Sequence, residues 1–265
     1  METNGVNYHF EVEGSGAALV LLHGFTGSSE NWAEIRPTLN DHFTTITIDL
    51  LGHGQSDSPT EPVRYEMEHA ADDLAIIFTK VGVASVNLLG YSMGGRLALY
   101  TAITHPALVH TLILESASPG LETDAERLAR IQSDDQLAEA IERDGLAAFV
   151  EYWTSLPLFA TQTDTVHERL RAQRLKNNPL GLANSLRGMG AGVQSSLWHR
   201  LNEVTCPTLL ITGESDDKFT GIARKMAAQI ADTRVKTVSD TGHTVHVEQP
   251  IAYSQTIVDF LRAYN

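Results

Sequence analysis

The chain has one cysteine among its 265 residues, which rules out an internal disulfide. Cys206 stands before Pro207 and an apolar run, the setting of a buried structural thiol, and it is given no chemical role. Nowhere do about eighteen apolar residues follow one another, so no membrane-spanning helix is expected. The opening residues Met1, Glu2, Thr3 and Asn4 show no basic segment leading into an apolar one, the mark of a secretory leader, and a cytoplasmic protein is the expectation. Positive charge is scarce: 19 Lys and Arg face 33 Asp and Glu, a formal net charge of -14, with no basic arm or stripe. Nucleic acid and anionic membrane would be repelled, so neither is expected as a partner. Repeats, low-complexity tracts and linker-like runs are also missing, which leaves one continuous domain carrying an insertion. His23 and His53 lie beside glycines, but no pair of residues has the spacing of metal ligands, and neither a metal nor another cofactor is expected. No feature sets an oligomeric state.

What is present is a rhythm of short apolar runs and helical patterns. Residues 17–22 form a continuous apolar run, as strands covered on both faces do. Residues 43–50, 85–90, 109–115, 208–213 and 234–238 are read as further strands, with 8–12 as an edge strand. Between them, apolar residues recur at helical spacing from Met67 through Ala70, Ala71, Leu74, Ile77 and Phe78 to Val81, where Gly82 stops the helix. Further helices are predicted over 93–104, ended by Pro106, from about 221 to 231, and over 250–263. Residues 121–200 break the rhythm, with helical patterning at 125–132, 135–149 and 165–175 and no apolar strand. The predicted fold class is α/β: a mostly parallel, doubly wound sheet built by 1–120 and 201–265, with 121–200 inserted as a helical cap over one edge.

A serine stands at the pivot of this pattern. Leu88, Leu89, Gly90, Tyr91, Ser92, Met93 and Gly94 run from a strand through a GxSxG window into a helix. Glycine at both ends of the window lets backbone approach a sharp turn that lifts the Ser92 hydroxyl above the sheet. A serine alone is a weak nucleophile or base and needs a histidine that is itself oriented by a carboxylate. Asp216 follows the strand at 208–213, and His243 follows the last strand directly after Gly242. The C-terminal strand ends of such a sheet share one rim, so the three loops can converge, and the order Ser, Asp, His is the one found in α/β-hydrolases. Asp217 and Glu214 offer the same carboxylate as Asp216, and His246 competes with His243.

Two further groups complete a candidate site. The backbone N–H of Phe25, in the tight loop His23, Gly24, Phe25, would join that of Met93 in an oxyanion hole. Arg96 lies one helical turn after Ser92 and leans back toward it, which suits a carboxylate better than an apolar ester chain. The cap holds nine Lys and Arg against eleven Asp and Glu, so -12 of the net charge lies on the remainder and the cap is much the less acidic part.

From about residue 17 to its C-terminus the chain resembles the α/β-hydrolase superfamily, which holds esterases, lipases, peptidases, dehalogenases, C–C hydrolases and a few lyases, so the fold does not name the reaction. The segments SASPGL at 116–121, ERLAR at 126–130, WTSLPLF at 153–159, RLKNNP at 174–179, SLRGMG at 185–190 and GESDDKF at 213–219 resemble the 2-succinyl-6-hydroxy-2,4-cyclohexadiene-1-carboxylate synthases of menaquinone biosynthesis. That resemblance implies elimination of pyruvate from a polycarboxylate cyclohexene, a small-molecule substrate, with no metal or organic cofactor. It implies Ser92, Asp216 and His243 as the triad, Arg96, Arg130 and Arg174 as carboxylate binders, and Tyr91 and Trp153 as pocket residues. A carboxylesterase or C–C hydrolase of anionic substrates would share the triad, and a non-catalytic receptor on the same fold would keep the pocket.

Overall fold

The computed structural model describes residues 1–264. Strands β1 (Glu2–Thr3) and β2 (Val6–Asn7) form a small separate hairpin ahead of the main sheet. The main sheet has seven strands: β3 (Phe10–Gly14), β4 (Ala18–Leu22), β5 (Thr44–Ile48), β6 (Val86–Tyr91), β7 (Val109–Glu115), β8 (Thr208–Gly213) and β9 (Thr233–Val238). Their spatial order is β3-β5-β4-β6-β7-β8-β9, with only β3 antiparallel to its neighbour. The edge strand predicted at 8–12 is displaced to 10–14, paired through Phe10 with Ile48 and through Gly14 with Thr44.

Central strands send alternate side chains to opposite faces, and here both faces are apolar. Val20, Leu22 and Leu88 pack on one side with Leu74 and Phe78 of α2 (Met67–Lys80) and Leu97 of α3 (Met93–Thr104). Leu19, Leu21 and Leu89 pack on the other with Leu39, from the short helix α1 (Arg36–Asn40), and with residues near the C-terminus. Full burial of each such side chain stabilises by roughly 2 kcal/mol, which holds the strand ends, and the loops leaving them, as a rigid rim.

Between β7 and β8 come α4 (Asp124–Thr154), α5 (Asp164–Arg174) and α6 (Pro179–Met189). Helical patterning divides α4 at residues 133–134, but the observed break is at Gly145, whose φ of 84° and ψ of 167° interrupt an otherwise continuous rod. Glycine reaches that region without a Cβ penalty. Ala138, Ile141, Phe149 and Val150 of α4 pack on Leu182, Ala183 and Leu186 of α6, a helix that propensity alone does not single out. After β8, α7 spans Asp217–Ala227 and so begins and ends about four residues earlier than predicted. Asp216 supplies the reason, since its side chain caps the helix by accepting from the Phe219 amide. Helices α8 (Val245–Glu248) and α9 (Pro250–Leu261) follow β9, and Tyr253, Ile257, Phe260 and Leu261 of α9 cover the second face. No helix among the described residues is long and apolar enough to cross a membrane.

Candidate active site

Ser92 sits between β6 and α3 at φ 50° and ψ -107°, a left-handed conformation that a residue with a Cβ adopts only at a cost of about 1 kcal/mol or more. Two backbone hydrogen bonds hold it there: the Ser92 amide donates to the Glu115 carbonyl at 2.8 Å, and the Arg96 amide donates to the Ser92 carbonyl at 3.0 Å. The flanking glycines are required by close approach. A Cβ on Gly90 would lie 2.3 Å from the Gly94 oxygen, and one on Gly94 would lie 2.3 Å from the Leu22 oxygen.

The three loops meet. His243 Nδ1 is 2.7 Å from Asp216 Oδ2, and His243 Nε2 is 3.2 Å from Ser92 Oγ. With its proton on Nδ1, donated to Asp216, the imidazole presents a lone pair at Nε2 to the serine hydroxyl. Glu214 and Asp217, the other two carboxylates, are exposed. His246 is engaged elsewhere: its Nδ1 lies 2.8 Å from Glu115 Oε1, and both side chains are fully buried. The histidine loop is fastened by Glu248, which accepts from the Gly242 amide at 2.9 Å and the Thr244 amide at 3.1 Å. The Phe219 and Tyr91 rings stand 4.6 and 5.5 Å from that of His243, keeping it 3 % exposed.

Above the serine lies a cavity of about 260 Å³ whose wall includes Phe25, Ser92, Met93, Arg96, Arg130, Trp153 and His243. Met93 is the first residue of α3, so its amide has no acceptor within the helix. Phe25 packs edge-on against Trp153 at 5.2 Å, and the Trp153 indole N–H is buried with no partner. The buried Arg96 guanidinium donates to Gln194 Oε1 at 2.6 Å and to the Met189 carbonyl at 2.7 Å, both neutral acceptors. Burial, reinforced by the nearby charge of Arg130, brings its pKa down to about 10. Arg130 differs, since its Nε donates to Asp134 at 2.7 Å.

Arg174 and Tyr91 line a second, smaller cavity of about 20 Å³ that shares Phe25 with the first. Arg174 is buried, donates to Thr154 Oγ1 at 3.1 Å and lies 4.7 Å over the Phe159 ring. Burial lowers its pKa to about 10 as well. Among the described residues no carboxylate forms an ion pair with Arg96 or Arg174, whereas Arg127, Arg143, Arg169, Arg171, Arg187 and Arg200 of the cap all have acidic partners. An unneutralised buried cation is costly unless something anionic completes it. His23 and His53 serve the backbone: His23 Nε2 accepts from the Leu50 amide at 2.9 Å, and His53 Nδ1 donates to the Leu51 carbonyl. Sequence reasoning passes over Lys218 and Ser185, which line the main cavity, and over Gln194 and Glu115. Lys218 is readable two residues after Asp216, but Gln194 lies 98 positions from Arg96 and carries no local signal.

Known proteins resemble this chain over most of its length. Residues 17–250 match a family model described as the alpha/beta hydrolase fold. A Bacillus subtilis (strain 168) protein provisionally named 2-succinyl-6-hydroxy-2,4-cyclohexadiene-1-carboxylate synthase is 47 % identical over 98 % of this chain and 96 % of its own length. The Enterobacter sp. (strain 638) protein of that name is 33 % identical over 92 % of this chain and 91 % of its own. Among solved structures, that of MenH from S. aureus superposes with a TM-score of 0.92 at 38 % identity, covering 97 % of this chain and 98 % of that one.

Proposed function

The chain belongs to the α/β-hydrolase family and, within it, to the 2-succinyl-6-hydroxy-2,4-cyclohexadiene-1-carboxylate synthases, and from that premise we propose how its residues carry the reaction. The enzyme is a lyase of menaquinone biosynthesis that eliminates pyruvate from 2-succinyl-5-enolpyruvyl-6-hydroxy-3-cyclohexene-1-carboxylate. The rings of substrate and product differ at five bonds: C2–H, C2–C3, C3–C4, C4–C5 and C5–O. The ring C2–H pair becomes the C2=C3 double bond, the C3=C4 pair moves to C4=C5, and the C5–O pair leaves with the enolpyruvyl oxygen. That oxygen's enolate then takes a proton to become pyruvate.

The ring hydrogen at C2 lies beside the succinyl ketone, which makes it acidic enough for a positioned base. Ser92 takes that proton as His243 Nε2, 3.2 Å away, takes the hydroxyl proton, and the charge on the imidazole is balanced by Asp216. General-base action of this kind supplies about 3–5 kcal/mol. The amides of Phe25 and Met93 receive the ketone oxygen as it becomes an enolate, each such donor contributing about 3 kcal/mol. The proton held by His243 is then available to the departing enolpyruvate. No acyl-enzyme is required, and water is not a reactant.

The substrate carries carboxylates on the ring, the succinyl arm and the enolpyruvyl group. Arg96 faces the serine's cavity and Arg174 stands in the adjoining one beyond Phe25, each a buried cation suited to one anionic group. Arg130, paired with Asp134 through Nε, offers the rest of its guanidinium to the serine's cavity, while Trp153 covers the ring and Tyr91 backs His243. The observation that carries the reading is Arg96, a buried cation without an ionised partner in the same wall as Ser92 and His243. Coupling pyruvate release to lactate dehydrogenase tests it. Wild type is expected to release pyruvate from the cyclohexene substrate, and a chain that instead cleaves p-nitrophenyl acetate rapidly while releasing none is a hydrolase.

A further inference from the structure

Arg96 is held by acceptors that carry no charge. Gln194 is 3 % exposed, its Oε1 accepts from Arg96 Nη1 at 2.6 Å, and the Met189 carbonyl accepts from Nη2 at 2.7 Å. The Gln194 backbone N–H in turn donates to the Gly190 carbonyl at 3.2 Å, fixing the side chain's origin on the turn that follows α6. Its other amide atom, Nε2, is buried without a partner and would stand 3.7 Å from a Cβ on Gly120, a residue of the cavity wall. A glutamate is isosteric with glutamine and would form a buried, charge-assisted pair with the guanidinium. Arg130, on the same wall, does have such a partner in Asp134. The carboxamide therefore orients Arg96 without itself neutralising it, and the carboxylate that acts on Arg96, Asp134, has its hydrogen bond to Arg130.

We propose that Gln194 is a specificity-determining residue: its neutrality reserves Arg96 for a carboxylate of the substrate. This rests on the reading of Arg96 as an anion site given above. A carboxylate at position 194 would satisfy the guanidinium internally and compete with the ligand, so stability and substrate binding would move in opposite directions. A residue of merely structural importance moves them together.

The experiment compares wild type with Gln194→Glu and Gln194→Met, using thermal unfolding, steady-state pyruvate release and calorimetric titration with succinate as a dicarboxylate probe. Gln194→Glu is expected to melt no lower than wild type, to raise KM tenfold or more with a smaller change in kcat, and to weaken succinate binding by a similar factor. Gln194→Met, which removes the acceptor without adding charge, is expected to raise KM by less than Gln194→Glu does. An unchanged KM in Gln194→Glu, a rise no larger than that of Gln194→Met, or a Gln194→Glu chain that fails to fold would each overturn the proposal. If wild type binds succinate and Gln194→Glu does not, yet neither releases pyruvate, the assignment of the reaction fails and the role of Gln194 stands. If wild type neither releases pyruvate nor binds succinate, both fail.

Discussion

Asp216 serves two masters with its two carboxylate oxygens: Oδ2 lies 2.7 Å from His243 Nδ1, and Oδ1 accepts from the Phe219 amide at 3.4 Å at the start of α7. The helix cap thus holds the group that orients the histidine. Asparagine caps helices about as well as aspartate, but it can present an amide to Nδ1 and favour the wrong tautomer. Asp216→Asn is therefore expected to lower kcat for pyruvate release by about 100-fold or more while leaving stability within about 0.5 kcal/mol. Asp216→Ala is expected to lose the same activity and also about 1 kcal/mol of stability in urea unfolding. Equal stability losses in both variants would deny the division of labour.

Arg96 is expected to act on binding through a charge-assisted contact. Arg96→Ala should lower kcat/KM by about 2 kcal/mol, or roughly 30-fold, with most of the loss in KM. Steady-state pyruvate release checks this, and an unchanged kcat/KM would make Arg96 a packing residue only.

Much of this site is legible in the chain because its signals are local. Gly90 and Gly94 flank Ser92 at fixed offsets and mark the elbow, and Asp216 and His243 each follow a recognisable strand. The start of α7 is misplaced because its helical pattern is counted from about residue 221, whereas Asp216 caps a helix that already begins at Asp217. The break in α4 depends on packing against α6, to which the residues before and after Gly145 both contribute, and no local pattern reports that pairing. The resemblance groups Arg174 with Arg96, but the fold seats it across Phe25 in a separate cavity, a matter of tertiary placement. Glu115 reads only as the end of an apolar strand, although its partner His246 is 131 positions away.

Glu115 joins the serine elbow to the histidine loop. Its carbonyl accepts from the Ser92 amide, and its buried carboxylate accepts from the His246 amide at 3.1 Å as well as from the ring. Removing one member of a buried acid–base pair leaves the other without compensation. Glu115→Ala is expected to cost about 3 kcal/mol or more in urea unfolding, with Glu115→Gln milder because it retains an acceptor for the amide. A loss below about 1 kcal/mol in Glu115→Ala would contradict this account.

Two buried histidines set an acid limit on stability. Burial lowers His53 to about 3 and His23 to about 4, against 6.5 in an unfolded chain. The unfolded state therefore binds more protons below pH 6.5, so the stability these groups contribute is fully present above that pH and is lost as pH falls toward their folded values. Each adds a slope of up to about 1.4 kcal/mol per pH unit in that window. His53→Asn is expected to show a shallower loss than wild type, by about one proton's worth, in urea unfolding followed from pH 7 down to about 4.5. Parallel curves would show that His53 does not titrate on unfolding.

The central claim is that Ser92 and His243 remove a ring proton so that pyruvate leaves without consumption of water. Turnover in ¹⁸O-labelled water, with mass spectrometry of all products and of the intact chain, tests it most directly. The account predicts pyruvate and the cyclohexadiene in equal amounts, no succinate, and a chain of unmodified mass throughout, with Ser92→Ala inactive. Succinate carrying one solvent oxygen, or an acyl adduct on Ser92, would contradict it.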